Sequence, residues 1–487
     1  MHIPESVYGI ENEFGVARIF PNGTFASVDK EQGYQRLDVI LKRIPRSIFI
    51  LGTGQKRLWH SNGSCTYIDT GEHPEHATPE CMSIRDVVKY NKAGERLVAE
   101  VFDDPISDNG KLLLFKNNVG VDEKGNIFGE FGCHENYMLY TNDSINPQKG
   151  FMLIPFLITR QIFDGAGWWT RNNEFCFSQR ALSIQREFDA ITINARPIIN
   201  TRGSLDTGTR WRLHLIVGDS NILEFAMYLK IGTTALMLHL IEAEKIPRLK
   251  SENAVNAINA ISLHYDPFEP LIDIENNGKK SAFDIQTIYL QAAQKELAQG
   301  SFASEKTEAE LKHIGLCWEQ ALNAIYNRDI PWMIGRFDHV TKKSMIDREV
   351  ARNHITDSSE AFLFRKNLDI FYHDITHGAW QKRMNAAWPD KRIVTDAEIE
   401  RAVTEPPINT RANMRSRFLK LAIEHNFAGS IGIDWAVCHL KYPETNFNLP
   451  DPFLYESSEF DAFLMQLPAS CKNASPRHDD KNNYNIE

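Results

Sequence analysis

The chain has 487 residues, of which 42% are hydrophobic and 24% are charged, a balance typical of a globular protein with a large core. Its formal net charge of −10 argues against nucleic acid as the main partner, because phosphate binding requires a basic excess. The seven cysteines are scattered without a C-x-x-C pair, so the sequence predicts reduced thiols, a cytoplasmic location and no structural zinc site.

The first predicted element is a strand over Ser6–Val16, and its alternation places Glu11 and Glu13 on one face. Two adjacent carboxylates on a buried sheet face require compensation, which a metal ion supplies most simply. The alternative is an edge strand whose acidic face lies in water. Residues 1–14 contain no basic region followed by an apolar run, so no signal peptide is expected.

After a predicted helix over 30–43 and a strand near Ile48, an Asn-Gly turn opens the stretch Asn62–Glu80. A predicted strand over 65–69 places Cys65, Tyr67 and Asp69 on one face. Four carboxylates lie within this stretch: Asp69, Glu72, Glu75 and Glu80. Carboxylates this close repel one another unless a cation lies between them or one is protonated. We therefore expect a functional site here, with a solvated acidic loop as the alternative.

Further strands with one polar face are predicted in the first half of the chain. A helix is predicted over 83–102, with strands over 111–117, 132–140 and 210–219. The strand over 132–140 places His134, Asn136 and Met138 on one face. The strand over 210–219 places Arg210, Arg212 and His214 on one face. The polar face with Arg210 and Arg212 could bind phosphate groups. The alternative is that this face lies in water.

The next predicted element is a long helix that reaches residue 243, with Asp219, Ser220 and Asn221 as N-cap residues. Its apolar part, 225–241, contains Lys230 and His239, so we expect a buried helix and no membrane span. The following part is mainly helical. It includes a capping box at 395–398, a helix over 411–425, a strand over 430–440 and a helix over 458–466.

These elements predict an α+β protein with a large domain over 1–405, a small C-terminal domain over 406–468 and a disordered polar tail over 469–487. A sheet with an inward polar face and scattered carboxylates suits a Mg²⁺–nucleotide site, because magnesium prefers oxygen ligands. Neither a Walker loop nor a G-x-G-x-x-G motif occurs, which disfavours the common nucleotide-binding folds.

An ordered series of motifs resembles the Pup ligase/depupylase family over nearly the whole chain. The motifs are G-I-E-N-E-F-G (9–15), N-G-x-x-x-Y-I-D-x-G-x-H-P-E-x-A-T-x-E-C (62–81), F-K-N-N (115–118), G-C-H-E-N-Y (132–137), R-P-I-I-N-T-R (196–202), R-L-H-L-I-V-G-D-S-N (212–221), L-K-I-G-T (229–233), D-I-Q (284–286) and E-P-P-I-N-T-R-A (405–412). The resemblance implies a glutamine-synthetase-like large domain, in which helices pack on a curved, mainly antiparallel sheet that forms a cradle.

The resemblance also assigns roles to individual residues. It makes Asp69 the catalytic aspartate. The implied magnesium ligands are Glu11, Tyr67 and Glu75. The implied nucleotide contacts are Thr78, Trp435 and Arg212. Glu13 and His214 lie on matching motifs and are expected to complete the cradle.

The implied reaction is ATP- and Mg²⁺-dependent joining of the C-terminal glutamate side chain of the ubiquitin-like modifier Pup to lysines of target proteins. It proceeds through a γ-glutamyl phosphate and marks the targets for proteasomal degradation. The depupylases of the family have a long inserted loop for which residues 16–61 leave no room, so the ligase is favoured. The alternatives are a depupylase or Pup deamidase, a small-molecule carboxylate–amine ligase, and a binding-only relative.

Two positions depart from the family pattern. Cys65 stands where the family has an ATP-contacting arginine, and a neutral thiol cannot replace a guanidinium. Arg57 and Arg210 are the candidates to substitute for it. An acidic, histidine-bearing loop of the family is altered in this chain at 203–208.

Overall fold

The structure is a computed structural model. It describes residues 2–19, 25–27, 47–51, 56–69, 73–102, 111–121, 127–140, 147–170, 172–191, 195–202, 210–376, 378–425, 430–441 and 444–467. The helix predicted over 30–43, the altered loop at 203–208 and the tail at 469–487 lie outside the described residues.

The described strands support an α+β fold. In chain order they are β1 (His2–Ile3), β2 (Tyr8–Glu13), β3 (Gly15–Ile19), β4 (Phe25–Ser27), β5 (Ser47–Leu51), β6 (Lys56–His60), β7 (Cys65–Ile68), β8 (Pro74–Ala77), β9 (Lys111–Phe115), β10 (Val119–Val121), β11 (Ile127–Glu130), β12 (Cys133–Leu139), β13 (Trp168–Trp169), β14 (Phe175–Cys176), β15 (Arg186–Asp189), β16 (Pro197–Asn200), β17 (Trp211–Leu215), β18 (Ile272–Ile274), β19 (Gly278–Lys280), β20 (Ser301–Phe302), β21 (Ile431–Asp434), β22 (Val437–Lys441) and β23 (Glu444–Asn448).

For description we call residues up to 405 the large unit and residues from 406 the small unit. A nine-stranded sheet in the order β15-β16-β17-β12-β2-β8-β7-β6-β5 is the framework of the large unit. Its neighbouring strands run antiparallel, apart from the parallel pair β15–β16. This arrangement confirms the predicted mainly antiparallel sheet. Because β2 lies between β12 and β8, the alternative of an edge strand at Glu11 and Glu13 is wrong.

Helices cover one face of this sheet and form the later part of the chain. Their bounds are Ile84–Phe102, Pro147–Thr159, Gln161–Asp164, Glu224–Glu242, Ala254–His264, Ala282–Gln299, Glu305–Tyr326, Ile330–Met333, Asp338–Arg352, Ser358–Tyr372, Ala379–Ala387, Asp396–Thr404, Arg411–Glu424 and Ser458–Leu464. Thr395 and Glu398 form the predicted capping box. Among the described residues, no helix combines the length and apolarity that crossing a bilayer requires.

The covered face of the sheet is held by close contact with the helix Ile84–Phe102. A Cβ atom at Gly94 would lie 2.3 Å from the ring of His76 on β8, so the helix can approach this closely only with glycine there. Asn91 of the same helix accepts a 2.5 Å hydrogen bond from Asn12 on β2. Since Asn12 points to the helices, its neighbours Glu11 and Glu13 point to the opposite, open face, as alternation predicts.

The long apolar helix is buried as predicted, but its N-terminal cap differs from the prediction. The helix begins at Glu224, and the backbone N–H groups of Ile222 and Leu223 donate to Asp338 Oδ1. Asp219 instead accepts the backbone N–H groups of three residues of other segments, which are Ala166, Gln179 and Arg180. The N-cap residue is Leu223, which makes no side-chain cap hydrogen bond. The carboxylate of Asp338 is more than a hundred residues away in sequence, so a local pattern could not identify its contacts.

The C-terminal region has a hydrophobic cluster of its own, formed around the helix Arg411–Glu424 and the sheet β21-β22-β23. Two residues of the large unit, Trp59 on β6 and Cys65 on β7, belong to the same cluster. The single strand predicted over 430–440 is wrong, because β21 and β22 form a hairpin whose turn carries Trp435. Asp434 Oδ1 accepts the backbone N–H of Trp435 at 2.8 Å and stabilises this turn.

Candidate functional site

The open face of the sheet gathers carboxylates from adjacent strands. Glu75 on β8 is in register with Glu13 on β2 and with Tyr67 on β7. His134 on β12 is in register with Glu11 on β2. Residues in register on antiparallel strands project to the same side of the sheet. Three separate segments of sequence, β2, β8 and β12, therefore place their polar side chains in one cluster, which we call the carboxylate cluster (Glu11, Glu13, Glu75 and His134).

His134 contacts all three carboxylates of the cluster. Its Nδ1 lies 3.4 Å from Glu11 Oε2 and 3.5 Å from Glu75 Oε1, and its Nε2 lies 3.5 Å from Glu13 Oε1. Burial alone would lower the pKa of His134, but the neighbouring carboxylates raise it well above its ordinary value. A protonated imidazole thus offsets part of the negative charge of the cluster.

The carboxylates of the cluster have different proton affinities. Burial together with the charges of Glu11 and Glu13 raises the pKa of Glu75 to about 8. Burial also favours the neutral form of Glu13, yet contacts with His73 and His134 lower its pKa to about 2. Glu11 likewise has a lowered pKa, because His134 and Arg212 outweigh its burial. The ionised form of Glu75 is therefore the least stabilised of the three by its surroundings, and a bound cation would stabilise it most.

Asp69 lies beside the cluster at the end of β7. Its Oδ1 accepts the backbone N–H of His73 at 2.6 Å, and the ring of His73 lies 3.4 Å from Glu13 Oε2. The side chain of Asp69 is 14% exposed, so solvent or a substrate reaches it. The ligand atoms of Glu13, Asp69 and His73 all lie within 4.8 Å of one another. The structure thus connects the expected catalytic residue to the cluster through one imidazole.

Arg212 and His214 on β17 form the opposite side of the cluster. Arg212 Nη1 donates to Asn136 Oδ1 at 2.6 Å and lies 3.7 Å from Glu11 Oε1. The side chain of Arg212 is 38% exposed, which leaves the guanidinium accessible to a ligand. The ligand atoms of Glu11, His134 and His214 lie within 4.8 Å of one another. The predicted polar row on this strand therefore borders the cluster.

Thr78 is placed at the same face but is more enclosed. Its hydroxyl accepts the backbone N–H of Ile10 at 3.0 Å, and it is buried. An added Cβ at Gly9 would lie 3.5 Å from this hydroxyl. A hydroxyl that accepts one hydrogen bond still has a proton to donate, so contact with a nucleotide oxygen remains open to Thr78.

Trp435 lies in the small unit, at the boundary with the large one. Its ring meets that of Trp59 edge to face, with 4.9 Å between the centroids. Arg415 lies 4.9 Å above the Trp435 ring and donates to the Trp435 carbonyl at 2.8 Å. Tyr67 packs against the same hydrophobic cluster as Trp435. The expected nucleotide contact of the small unit is thus joined to the strand that carries the expected metal ligand.

The donor set fits a magnesium ion. Glu11, Glu75 and Tyr67 all offer oxygen atoms, which magnesium prefers. Glu75 Oε1 is buried and accepts no hydrogen bond from the described residues. Burial and the charges of Glu75 and Glu11 raise the pKa of the Tyr67 hydroxyl, so it is neutral and supplies an oxygen lone pair. The cation beside Glu75 is the protonated His134, whose Nδ1 lies 3.5 Å from Glu75 Oε1. A buried carboxylate oxygen with only this long cation contact in the described part of the chain, beside other carboxylates, is where an added cation stabilises most.

Two histidines of the site, His73 and His134, are absent from the residues to which the resemblance assigns roles. His73 and His134 were seen as members of motifs or strand faces, but their contacts with Glu13 and with the whole cluster follow from strand pairing. Alternation had already put His134 on the polar face of its strand. The missing information was that β12 pairs with β2, which sequence spacing alone does not give.

Comparison with known proteins supports one family throughout. A family model described as Pup-ligase protein matches residues 6–439. The Pup–protein ligase of Acidimicrobium ferrooxidans is 35% identical over 483 residues, which cover 95% of this chain and 98% of that protein. The Pup–protein ligase of Mycolicibacterium smegmatis is 34% identical over 455 residues, which cover 89% of this chain and 93% of that protein.

Solved structures give the same result. The complex between the prokaryotic ubiquitin-like protein Pup and its ligase PafA is similar with a TM-score of 0.78 and 29% identity, over 96% of this chain and 93% of that chain. The Pup ligase PafA in complex with ADP is similar with a TM-score of 0.71 and 30% identity, over 91% of this chain and 95% of that chain. Both similarities extend over more than nine tenths of this chain.

Proposed function

This chain belongs to the Pup-ligase family, and we propose that it is an ATP-dependent ligase that joins Pup to lysine side chains of target proteins. The bond forms between the side-chain carboxylate of the C-terminal glutamate of Pup and a lysine ε-amine. Glu75 is the observation that carries the proposal: a buried carboxylate with a raised pKa, beside two others, on the open face of the sheet. A Mg²⁺–nucleotide complex supplies the positive charge that such a group lacks.

The first step activates the carboxylate of Pup. Its oxygen attacks the γ-phosphorus of ATP, the bond to the β-phosphate oxygen breaks, and ADP leaves. Magnesium, held by Glu11, Glu75 and Tyr67, would offset charge on the transferring phosphoryl group. Arg212 would approach the phosphates with its exposed guanidinium. Trp435 and Thr78 would contact the nucleotide, Trp435 with its ring and Thr78 with its hydroxyl.

The second step forms the isopeptide bond. The lysine nitrogen attacks the acyl carbon of the γ-glutamyl phosphate, and phosphate leaves as the carbon–oxygen bond breaks. The amine must lose a proton to attack, so a base is needed within hydrogen-bonding reach. Asp69 takes this proton in the proposal, because it is partly exposed beside the cluster and oriented by the His73 backbone N–H.

The test is a conjugation assay with defined components. The protein is incubated with ATP, Mg²⁺, a Pup that ends in glutamate and a lysine-bearing protein, and products are separated by mass. The expected result is a conjugate of the summed mass less one water, with one ADP formed per bond. Omission of ATP, or replacement of Mg²⁺ by a chelator, should abolish the product.

Other outcomes point to the alternatives. If no conjugate forms but a preformed conjugate is cleaved, the protein is a depupylase and the ligase proposal is wrong. If glutamate with ammonia or a small amine consumes ATP in place of Pup, the substrate is a small molecule. Binding of Pup without turnover of ATP would leave a binding-only protein. For the cell we propose that conjugation marks targets for proteasomal degradation in the cytoplasm.

A further inference from the structure

The position that the family resemblance gives to an ATP-contacting arginine holds Cys65 in this chain. Cys65 is fully buried and belongs to the hydrophobic cluster of the small unit. A thiol carries no positive charge in either protonation state, so it cannot pair with a phosphate as a guanidinium does. If the chain binds ATP, as the proposed function requires, another cation must supply that contact.

Strand pairing places Arg57 next to Cys65 on the same face. In the antiparallel pair β6–β7, Trp59 is opposite Cys65 and Arg57 is opposite Tyr67. Alternate residues share a face, so Arg57 is the diagonal neighbour of Cys65. Diagonal neighbours on antiparallel strands have Cα atoms about 7–8 Å apart, a distance that a long side chain spans. A guanidinium on Arg57 therefore reaches the region that an arginine at position 65 would reach.

The contacts of Arg57 put its charge between the two expected ends of the nucleotide site. Its guanidinium carbon lies 5.9 Å from the ring centre of Tyr67, an expected metal ligand. Its Nη1 donates to Asp434 Oδ1 at 2.7 Å, and the same oxygen accepts the backbone N–H of Trp435. The phosphates of a bound nucleotide would lie between the magnesium ligands and Trp435. The guanidinium of Arg57 lies in that region.

The ion pair with Asp434 does not commit Arg57 to a structural role. The side chains are 29% exposed for Arg57 and 62% exposed for Asp434. Exposed ion pairs contribute little to stability, so a phosphate competes effectively for the guanidinium. In the described part of the chain, the bond to Asp434 uses one of the five N–H donors that a guanidinium carries.

Two other arginines near this region, Arg210 and Arg415, are held by other groups. Arg210 pairs with Asp451 at 2.7 Å, and its guanidinium lies over the rings of Tyr140 and Phe453. Arg415 is fully buried, and its guanidinium donates to Glu80 and to two backbone carbonyls, those of Gly63 and Trp435. Freeing Arg415 would remove donors from Glu80, from the buried Gly63 carbonyl and from the Trp435 carbonyl. Arg210 is less exposed than Arg57, 19% against 29%, and its guanidinium is enclosed by two rings.

We propose that Arg57, from the strand next to β7, binds a phosphate of the nucleotide and replaces the arginine that the family carries at position 65. This inference rests on the proposed function, because it concerns the same nucleotide site. It assigns to Arg57 a role that position 65 cannot perform in this chain.

The test measures the affinity for Mg–ADP by isothermal titration calorimetry. Arg57→Ala should weaken binding at least tenfold, since charge-assisted hydrogen bonds to phosphate are strong. Arg57→Lys should recover part of the loss, because lysine retains the charge without the planar fork. Arg417→Ala is the matched control: Arg417 pairs with Asp461 at 2.6 Å and lies 5.8 Å from the ring centre of Phe460, a contact pattern like that of Arg57. We expect it to bind Mg–ADP as wild type does.

Asp434→Asn separates phosphate binding from a structural role of the ion pair. The substitution keeps an oxygen for the Trp435 N–H but releases the guanidinium, so affinity for Mg–ADP should stay equal or increase. A loss as large as that of Arg57→Ala would show that the pair merely supports Trp435, and would overturn the inference. Unchanged affinity in Arg57→Ala would overturn it too, with the proposed function intact. Failure of wild type to bind Mg–ADP would overturn both.

Discussion

At the scale of single residues, Asp69 combines a local structural contact with a partly exposed position beside the cluster. Its Oδ1 accepts the His73 backbone N–H, and asparagine would retain that acceptor. Asp69→Asn should therefore preserve the fold and the affinity for Mg–ADP. It should lower conjugation by about 10²-fold or more, because the amide cannot take a proton from the lysine amine. Conjugation at the wild-type rate would show that Asp69 is not the base.

Glu75 gives a second prediction at this scale. Its pKa of about 8 means that the protonated form predominates at pH 7 without metal. Glu75→Gln mimics that form, so the unfolding midpoint without metal should change little. The upward shift of the midpoint that Mg²⁺ and ADP produce in wild type should be strongly reduced, since the amide is a poor magnesium ligand. Thermal unfolding with and without Mg–ADP measures the midpoint and its shift. If Glu75→Gln shows the same Mg–ADP-induced shift as wild type, Glu75 does not bind the magnesium ion.

The residues of the site were largely accessible from sequence, because β-strand alternation determines which side chains share a face. Glu11 and Glu13 were expected on one face, and the structure places them there beside Glu75. What alternation cannot give is the partner strand. The bridging position of His134 depends on the register between β12 and β2, which is determined by long-range packing.

At the scale of secondary-structure elements, two predictions were wrong or incomplete, those of the strand over 430–440 and of the cap of the long helix. The hairpin β21–β22 was predicted as one strand because its turn at Trp435 contains neither glycine nor proline. The local signal was Asp434, because aspartate is common in turns, and its side chain accepts the backbone N–H of Trp435 here. The segment that leads into the helix Glu224–Glu242 is held by Asp338 of another helix, so no window around residue 220 could show this contact.

The helix Arg411–Glu424 is attached to the end of the stretch Asn62–Glu80 by a buried ion cluster. Glu80 accepts hydrogen bonds from Arg411 Nε at 2.8 Å and from Arg415 Nη2 at 2.5 Å. Burial favours the neutral form of Glu80, but Arg415 and Arg411 lower its pKa to about 2. The charged carboxylate thus joins the small unit to the segment that carries Thr78.

Removal of this charge should be costly and dependent on pH. Glu80→Gln leaves two buried guanidinium groups without a counter-charge, so the free energy of unfolding at pH 7 should fall by about 3 kcal/mol. Because the folded pKa is depressed, the stabilisation is present above about 4.5 and is lost as pH falls toward about 2. The difference in the free energy of unfolding between wild type and Glu80→Gln should therefore decrease between about pH 4.5 and about pH 2.

Urea unfolding of wild type and Glu80→Gln at several pH values measures this difference in the free energy of unfolding. Asp461→Asn, which removes the exposed partner of Arg417, is the control and should cost about 1 kcal/mol or less. Equal destabilisation by the two variants would show that burial of the Glu80 cluster has no special effect. A difference that stays constant down to pH 2 would contradict the role given to its charge.

At the scale of the whole molecule, we propose that residues 406–468 form a small C-terminal domain which depends on the large domain over 1–405 for its stability. The hydrophobic cluster of the small unit includes Trp59 and Cys65 from β6 and β7. Polar contacts extend the same boundary: Ser416 donates to the Ser61 carbonyl, and Thr410 donates to the Glu80 carbonyl at 2.9 Å. The two units therefore share one core at the place where the nucleotide is proposed to bind.

This shared core leads to a prediction about the isolated small unit. A segment of about 60 residues buries only about 60% of its unfolded surface and is marginally stable even when its core is complete. Without Trp59 and Cys65, the apolar side chains of Met414, Leu440 and their neighbours would meet water, and Arg415 would lose Glu80 and the Gly63 carbonyl. The fragment 406–468 should therefore lack a cooperative thermal transition and show little ordered structure by circular dichroism, whereas the full chain unfolds cooperatively. A cooperative transition in the fragment would show that the small domain folds without the large one, and that the boundary which holds Trp435 is a docking surface and not a common core.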